Sequence, residues 1–188
     1  MKWTVLSSRL IHQDRWIHLR ADRCRTAEGH IIDPFYVLEY PDWLNAVALT
    51  REGQVILTRQ YRHGIGSTIL ELPSGTVDPQ DASPEEAIRR ELLEETGFSF
   101  SDIYLTGVVS ANPDKQTNLV HCFLALGGHQ VAEPRPGPGE SLELELVSLP
   151  EFRRLLRENA FLQSVHVASA YYALEEMDKF EQNPPVHR

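Results

Sequence analysis

Glu71-Leu-Pro-Ser-Gly-Thr-Val-Asp-Pro-Gln-Asp-Ala-Ser-Pro-Glu-Glu-Ala-Ile-Arg-Arg-Glu-Leu-Leu-Glu-Glu-Thr-Gly-Phe98 reads as a loop feeding a short helix with both ends marked. Ser83 is a good N-cap, Pro84 suits the first helical position, and Glu86, three residues after the cap, completes a capping box. Gly97 supplies the C-terminal stop. On that helix Glu91, Glu94 and Glu95 fall within an arc of about 100°, because positions i, i+3 and i+4 share a face. Ile88 and Leu92 lie beside the arc and can anchor the helix to a core. Like charges at this spacing repel by roughly 0.2–0.5 kcal/mol per pair unless a cation sits among them. On an arbitrary helix such a face is ordinarily solvated. A hard divalent ion is the chemical alternative, since it takes carboxylate oxygens and keeps waters for a phosphate substrate.

Gly75 followed by Arg90-Glu91-Leu92-Leu93-Glu94-Glu95-Thr96-Gly97-Phe98 resembles the Nudix box, the signature of hydrolases that cleave a nucleoside diphosphate linked to another moiety with the help of divalent metal. The second half agrees at every defined position. The first half departs: Gly75 to Arg90 is one residue longer than the family spacing, and Ala82, with Asp81 beside it, stands where the first box glutamate is expected. The resemblance implies an α+β fold, an α/β/α Nudix sandwich around a mixed β-sheet. It implies metal ligation by Glu91, Glu94, Glu95 and the main-chain carbonyl of Ser74, with Mg²⁺ the expected ion and Mn²⁺ an alternative. Glu95 is then also a catalytic residue. Arg90, four residues before Glu94, orients a box carboxylate and partly neutralises the cluster. Glycine at 75 is expected to let the chain turn sharply towards the helix.

Composition bounds the rest. The 188 residues, 41% hydrophobic and 24% charged, suffice for one domain, or one domain with a small appendage. A formal charge of −9 argues against a sequence-independent grip on nucleic acid. Two cysteines, Cys24 and Cys122, give neither a disulfide framework nor zinc spacing, and each reads as an inert thiol. With no apolar leader and no run of membrane-spanning length, the expected compartment is the cytoplasm.

Ahead of the box, Trp3–Arg9, Trp16–Arg25 and Ile31–Tyr40 read as strands, and Pro41-Asp42 marks a boundary. The expected organisation is a small N-terminal antiparallel β-segment over residues 1–42 and a Nudix domain over 43–188. The first segment is similar to the β-domain through which the ADP-ribose pyrophosphatase branch of the family dimerises, which implies a homodimer. Carried over from Arg15-Trp16-Ile17, Trp16 is a candidate to stack on the substrate base, with packing or interface roles as the alternative and Phe35 as a second candidate. Leu44–Leu49 and Gln54–Gln60 form a hairpin around Arg51-Glu52-Gly53. Arg59-Gln60-Tyr61-Arg62 resembles the strand end that this branch places over the diphosphate, and Arg62 could bind two phosphate oxygens at once.

Beyond the box, Ile103–Val109 and Leu119–Leu126 are strand-like, joined by a loop whose Pro113 matches a marker of the same branch. Gly127–Gly139 is expected to hold no regular element. Glu140 then precedes an alternating strand over 142–147; by resemblance it is a metal ligand or general base on a closing loop, with Glu133 in reserve. Helices over 149–159 and about 164–177 read as scaffold, with His166 packed or partner-facing, and the tail over 181–188 is expected to fray. The implied reaction is metal-dependent hydrolysis of a nucleoside diphosphate–sugar, ADP-ribose giving AMP and ribose 5-phosphate as the leading case. ADP-glucose, GDP-mannose or a dinucleoside polyphosphate would be separated by products on a substrate panel. A sensor that binds ADP-ribose without cutting it would show saturable binding and no AMP release.

Overall fold

The structure is a computed structural model that describes residues 1–135, 137 and 141–182. Its backbone forms two compact units, one of Met1–Asp42 with Ser110–Leu119, the other of Trp43–Val109 with Val120–Arg188.

The first unit is an antiparallel sheet of β1 (Thr4–Gln13), β2 (His18–Arg25) and β3 (Ile31–Leu38), in that order. Its core is small, built around Ala21, Cys24 and Val37. At its centre lies the buried Asp22, which accepts hydrogen bonds from Ser8 Oγ at 2.6 Å and Arg20 Nε at 3.2 Å. Residues 110–119 close the sheet edge: Leu38 N–H donates to Lys115 O at 2.7 Å, and Thr117 N–H donates to Leu38 O at 3.1 Å. Lys115 Nζ sits 4.1 Å from the centre of the Phe35 ring, a cation–π contact. The loop expected only to join two strands of the main domain is therefore part of this unit.

The second unit contains β4 (Trp43–Thr50), β5 (Gln54–Arg62), a 3₁₀ turn at His63–Ile65, β6 (Ser67–Glu71), β7 (Ser74–Thr76) and α1 (Pro84–Thr96). It continues with β8 (Phe98–Ser99), β9 (Asp102–Val109), β10 (Val120–Gln130), β11 (Leu142–Ser148), α2 (Leu149–Arg157) and α3 (Ser164–Gln182). The backbone of the sheet runs β11-β5-β4-β10-β8, with β6 on β5, β7 on β4 and β9 on β10; β4 and β10 are parallel, so the sheet is mixed. Strand periodicity sorts the side chains onto two faces. Val47, Leu49, Val55 and Leu57 pack with Phe152, Leu156, Ala170 and Leu174 of α2 and α3. Leu44, Ala46, Ala48 and Ile56 pack with Ala87, Ile88 and Leu92 of α1. Both faces of β4 and β5 are covered, which is the expected α/β/α sandwich.

One departure from a simple hairpin positions the site. β4 and β5 pair only beside their turn, at Ala48↔Ile56 and Leu49↔Val55. Towards their other ends they part, and the segment after β5 fills the gap: β6 pairs with β5, then β7 pairs with β4. A cleft opens where the strands splay.

The capping residues act as their types require. Ser83 Oγ accepts from Glu86 N at 3.2 Å, and Gly97, at φ +76°, closes the helix with its N–H on Leu93 O. Glu86 reaches back to Ala82 N at 3.3 Å, one residue earlier than the capping-box pattern. Gly127–Gly139, expected to hold no regular element, does contain strand: β10 runs on to Gln130. The glycines make this feasible, because Gly127 takes φ +70° at a register shift and Gly128 then re-pairs with Thr50. α3 is also longer than expected, reaching Gln182, and the rest of the tail lies outside the described residues.

Candidate active site

A cavity of about 820 Å³ occupies the splayed end of the sheet. β4 contributes Leu44 and Asn45, β5 contributes Gln60 and Arg62, β7 contributes Ser74–Thr76, and α1 brings Glu95. α3 brings Val165 and His166, with Gln163 just ahead of it, because the chain before the helix bridges β6 at Leu70↔Phe161.

Arg62 is held from behind. Its Nε lies 3.0 and 3.1 Å from the two carboxylate oxygens of Glu71, and its Nη2 lies 2.9 Å from Oε2. Glu71 is only 1% exposed, whereas the guanidinium side chain is 40% exposed and lines the cavity. A buried carboxylate is tolerated only with such a partner. The pair therefore fixes an arginine whose remaining N–H groups are available to an anion. Arg62 stands out in the sequence and Glu71 does not; an acid directly after Ile69-Leu70, nine residues after an arginine, is the one signal it offers.

On the opposite wall α1 grips β7 through side chains. Glu95 Oε2 accepts from Ser74 N at 2.9 Å, and Glu91 Oε1 accepts from Thr76 N at 3.2 Å. Arg90 Nη2 donates to Thr76 O at 3.0 Å. Gly75 lies between these contacts, and a Cβ there would overlap the Glu91 carboxylate. Close approach, not a turn conformation, is thus what demands glycine at 75.

The three glutamates are graded outwards: Glu95 is buried, Glu91 half-buried and Glu94 exposed. Burial pushes the Glu91 carboxyl above its usual range, against the opposing pull of Arg90 and the Thr76 N–H. Arg90 Nη1 sits 3.0 Å from Glu91 and 3.3 Å from Glu94, so one cation now serves both.

Asp81 anchors Arg90 from the other side, at 2.9 and 3.2 Å, and itself accepts from Asp78 N at 2.8 Å. The guanidinium beside it holds the Asp81 carboxyl below the usual range. The longer loop thus delivers an acid to Arg90 from position 81, where Ala82 has none to offer.

The donor set suits a hard divalent cation: carboxylate oxygens and a main-chain oxygen, around a glycine with no Cβ to obstruct them. Among the described residues, no three acidic, histidine or cysteine side chains stand arranged to hold a metal ion between them. Glu91 and Glu94 would have to exchange Arg90 for the ion, which for exposed Glu94 costs at most about 1 kcal/mol of surface ion pairing.

Other expected residues fall elsewhere. Trp16 belongs to the first unit, in the turn between β1 and β2, not in a strand; it is 72% exposed, with Arg15 stacked 4.4 Å from its ring centre. Phe35 is half-buried against Trp3. Glu140 lies outside the described residues, and Glu133 is exposed in the segment after β10. Cys24 and Cys122 are free and buried, and burial raises both thiols, as suits inert side chains. His166, read from sequence as packed or partner-facing, lines the cavity.

An α/β/α sandwich whose splayed strands set an arginine, anchored on a buried glutamate, opposite an Arg-Glu-x-x-Glu-Glu helix defines a Nudix hydrolase. Residues 43–167 match the NUDIX domain, and the chain belongs to that family. Residues 3–38 match the nucleoside diphosphate sugar hydrolase N-terminal domain. The chain is 28% identical over 140 residues to an ADP-ribose pyrophosphatase of Bacillus subtilis, covering 74% of this chain and 73% of that one. It is 26% identical over 183 residues to an ADP-ribose pyrophosphatase of Mycobacterium tuberculosis, covering 97% and 88%. A crystal structure of an ADP compounds hydrolase superposes with a TM-score of 0.84 over 98% of both chains at 21% identity, a likeness of fold.

Proposed function

We propose that the protein hydrolyses the diphosphate bond of a nucleoside diphosphate–sugar, with ADP-ribose giving AMP and ribose 5-phosphate as the leading reaction. The observation that carries this reading is Arg62, pinned by buried Glu71 and facing a cavity whose far wall bears Glu95. Arg62 binds non-bridging oxygens of the diphosphate and offsets the charge that builds on them as water attacks phosphorus. The attacking water gives up its proton to a carboxylate, Glu140 or Glu95, while the bond from phosphorus to the bridging oxygen breaks and the two monophosphates part. Arg90 keeps the box carboxylates in place, itself braced by Asp81. Mg²⁺, or Mn²⁺ in its place, would be held by Glu91, Glu94, Glu95 and the Ser74 carbonyl, supplying Lewis-acid polarisation and a more acidic water.

The active form in this reading is a cytoplasmic homodimer. In support, every residue of β1 is exposed, among them Val5, Leu6, Leu10 and Ile11, an edge strand of the kind that pairs with another chain. No helix of the described residues is long and apolar enough to cross a membrane. Trp16, with its exposed ring, is the proposed stacking partner of the base. Incubation with ADP-ribose, ADP-glucose, GDP-mannose and dinucleoside polyphosphates, with and without Mg²⁺, and with every product identified, tests the assignment. AMP and ribose 5-phosphate from ADP-ribose is the expected result; saturable binding with no product would make the protein a sensor instead.

A further inference from the structure

Given the hydrolytic reading above, on which this rests, we infer that His166 is a substrate-contacting residue: its Nε2–H donates to a phosphate oxygen of the diphosphate held by Arg62. The ring is 1% exposed, yet it lines the cavity together with Arg62, Gln60 and Gln163. Its Nδ1 accepts the Leu72 N–H at 3.2 Å, and a nitrogen that accepts carries no proton. The proton of the neutral ring is therefore on Nε2. Among the described residues Nε2 has no acceptor of its own, and it is not one of the unpartnered atoms sealed away from solvent.

Two features keep the ring neutral. Burial opposes its charged form, and the nearby Arg62 guanidinium repels a second cation; together they push its pKa down to about 3. A neutral donor beside a fixed cation suits a phosphate oxygen. It adds a directed hydrogen bond without a second buried charge that would need its own counter-ion when the site empties. Leu72 directly follows Glu71, the residue that pins Arg62. One stretch of main chain at the end of β6 thus sets the position of both phosphate-facing groups.

Two substitutions separate contact from scaffolding. His166→Asn keeps an acceptor near the Nδ1 position for Leu72 N–H and removes the distal donor. His166→Gln keeps a donor near the Nε2 position and gives up the acceptor. Affinity for ADP, with adenosine as the phosphate-free probe, is measured in EDTA on the whole chain, with thermal unfolding as the check on folding. His166→Asn is expected to weaken ADP between about tenfold and a hundredfold, the scale of one hydrogen bond to a charged group, and to leave adenosine within about twofold. His166→Gln should lower the unfolding temperature while weakening ADP by less than about threefold.

Equal weakening of ADP and adenosine, or an unchanged ADP affinity in His166→Asn, would overturn the inference. In the parent protein ADP should also shift the His166 Nε2 nitrogen resonance, a reading independent of any variant, and no shift at saturation would overturn it as well. A parent that binds ADP through His166 but releases no product from any nucleotide-sugar would sink the hydrolytic reading while leaving this contact standing.

Discussion

Replacing Arg62 by methionine removes the cation from a carboxylate that is 1% exposed. Glu71 would lose its arginine contacts of 2.9–3.1 Å and must then either stay ionised in a buried position or take up a proton. Breaking a fully buried pair in this way costs about 3–5 kcal/mol. Here the arginine is 40% exposed, so water screens part of the pair and about 2–4 kcal/mol is the better expectation. For a chain of this size that lowers the melting temperature by roughly 5–15 °C. The companion change Glu71→Leu, made in the same chain, removes the stranded acid and should return most of the loss, because a well-packed apolar pair can match an ion pair in stability. Hydrolysis should not return with it, since the guanidinium that grips the diphosphate is still gone. Differential scanning calorimetry and steady-state kinetics on the two single variants and the double variant complete the cycle. An Arg62→Met protein that melts within 2 °C of the parent (roughly 1 kcal/mol or less) would refute the anchoring argument. A double variant with parental activity would refute the phosphate role.

Three further outcomes follow from the geometry. His166 has a folded pKa of about 3 against an ordinary 6.5, so the unfolded chain binds a proton that the folded one refuses across that window. Stability therefore falls as pH drops below 6.5, by about 2 kcal/mol between pH 7 and pH 5, and His166→Asn should flatten that slope in chemical denaturation. Gly75→Ala drives a methyl into the Glu91 carboxylate and should cost about 1–3 kcal/mol together with much of the activity; an unshifted melting curve would contradict the close approach. Asp81→Ala removes the brace of Arg90 and should lower kcat between about tenfold and a hundredfold through misplacement of the box, whereas Ala82→Ser should do neither.

Much of the fold is legible in local signals. Ser83, Pro84 and Gly97 bound α1 to the residue, since capping chemistry is local to one turn. The continuous apolar runs Ala46–Leu49 and Val55–Leu57 suit strands covered on two faces. What local signals do not carry is pairing: nothing in the hairpin around Arg51-Glu52-Gly53 announces that β4 and β5 separate after two residue pairs to admit β6 and β7, and that splay makes the cleft. The site divides the same way. Glu91, Glu94, Glu95, Arg90 and Ser74 share one contiguous motif, and Arg62 stands out by its resemblance. Glu71 and His166 take their place in the site only when β6 brings Glu71 beside Arg62 and the chain after it brings Leu72 beside α3. Gly128 shows the limit of composition, since a glycine-rich stretch read as irregular continues a strand through a bulge.

In the proposed site Glu91, Glu94, Glu95 and the Ser74 carbonyl hold a divalent cation against a diphosphate gripped by Arg62. The most direct test of this arrangement is anomalous diffraction from crystals soaked in Mn²⁺ with a non-hydrolysable ADP-ribose analogue, for the parent and for Glu95→Gln. A manganese peak within bonding distance of those oxygens is expected in the parent, with its loss or marked weakening in the variant. A parent crystal with the analogue bound, saturating Mn²⁺ and no metal at those oxygens would contradict it.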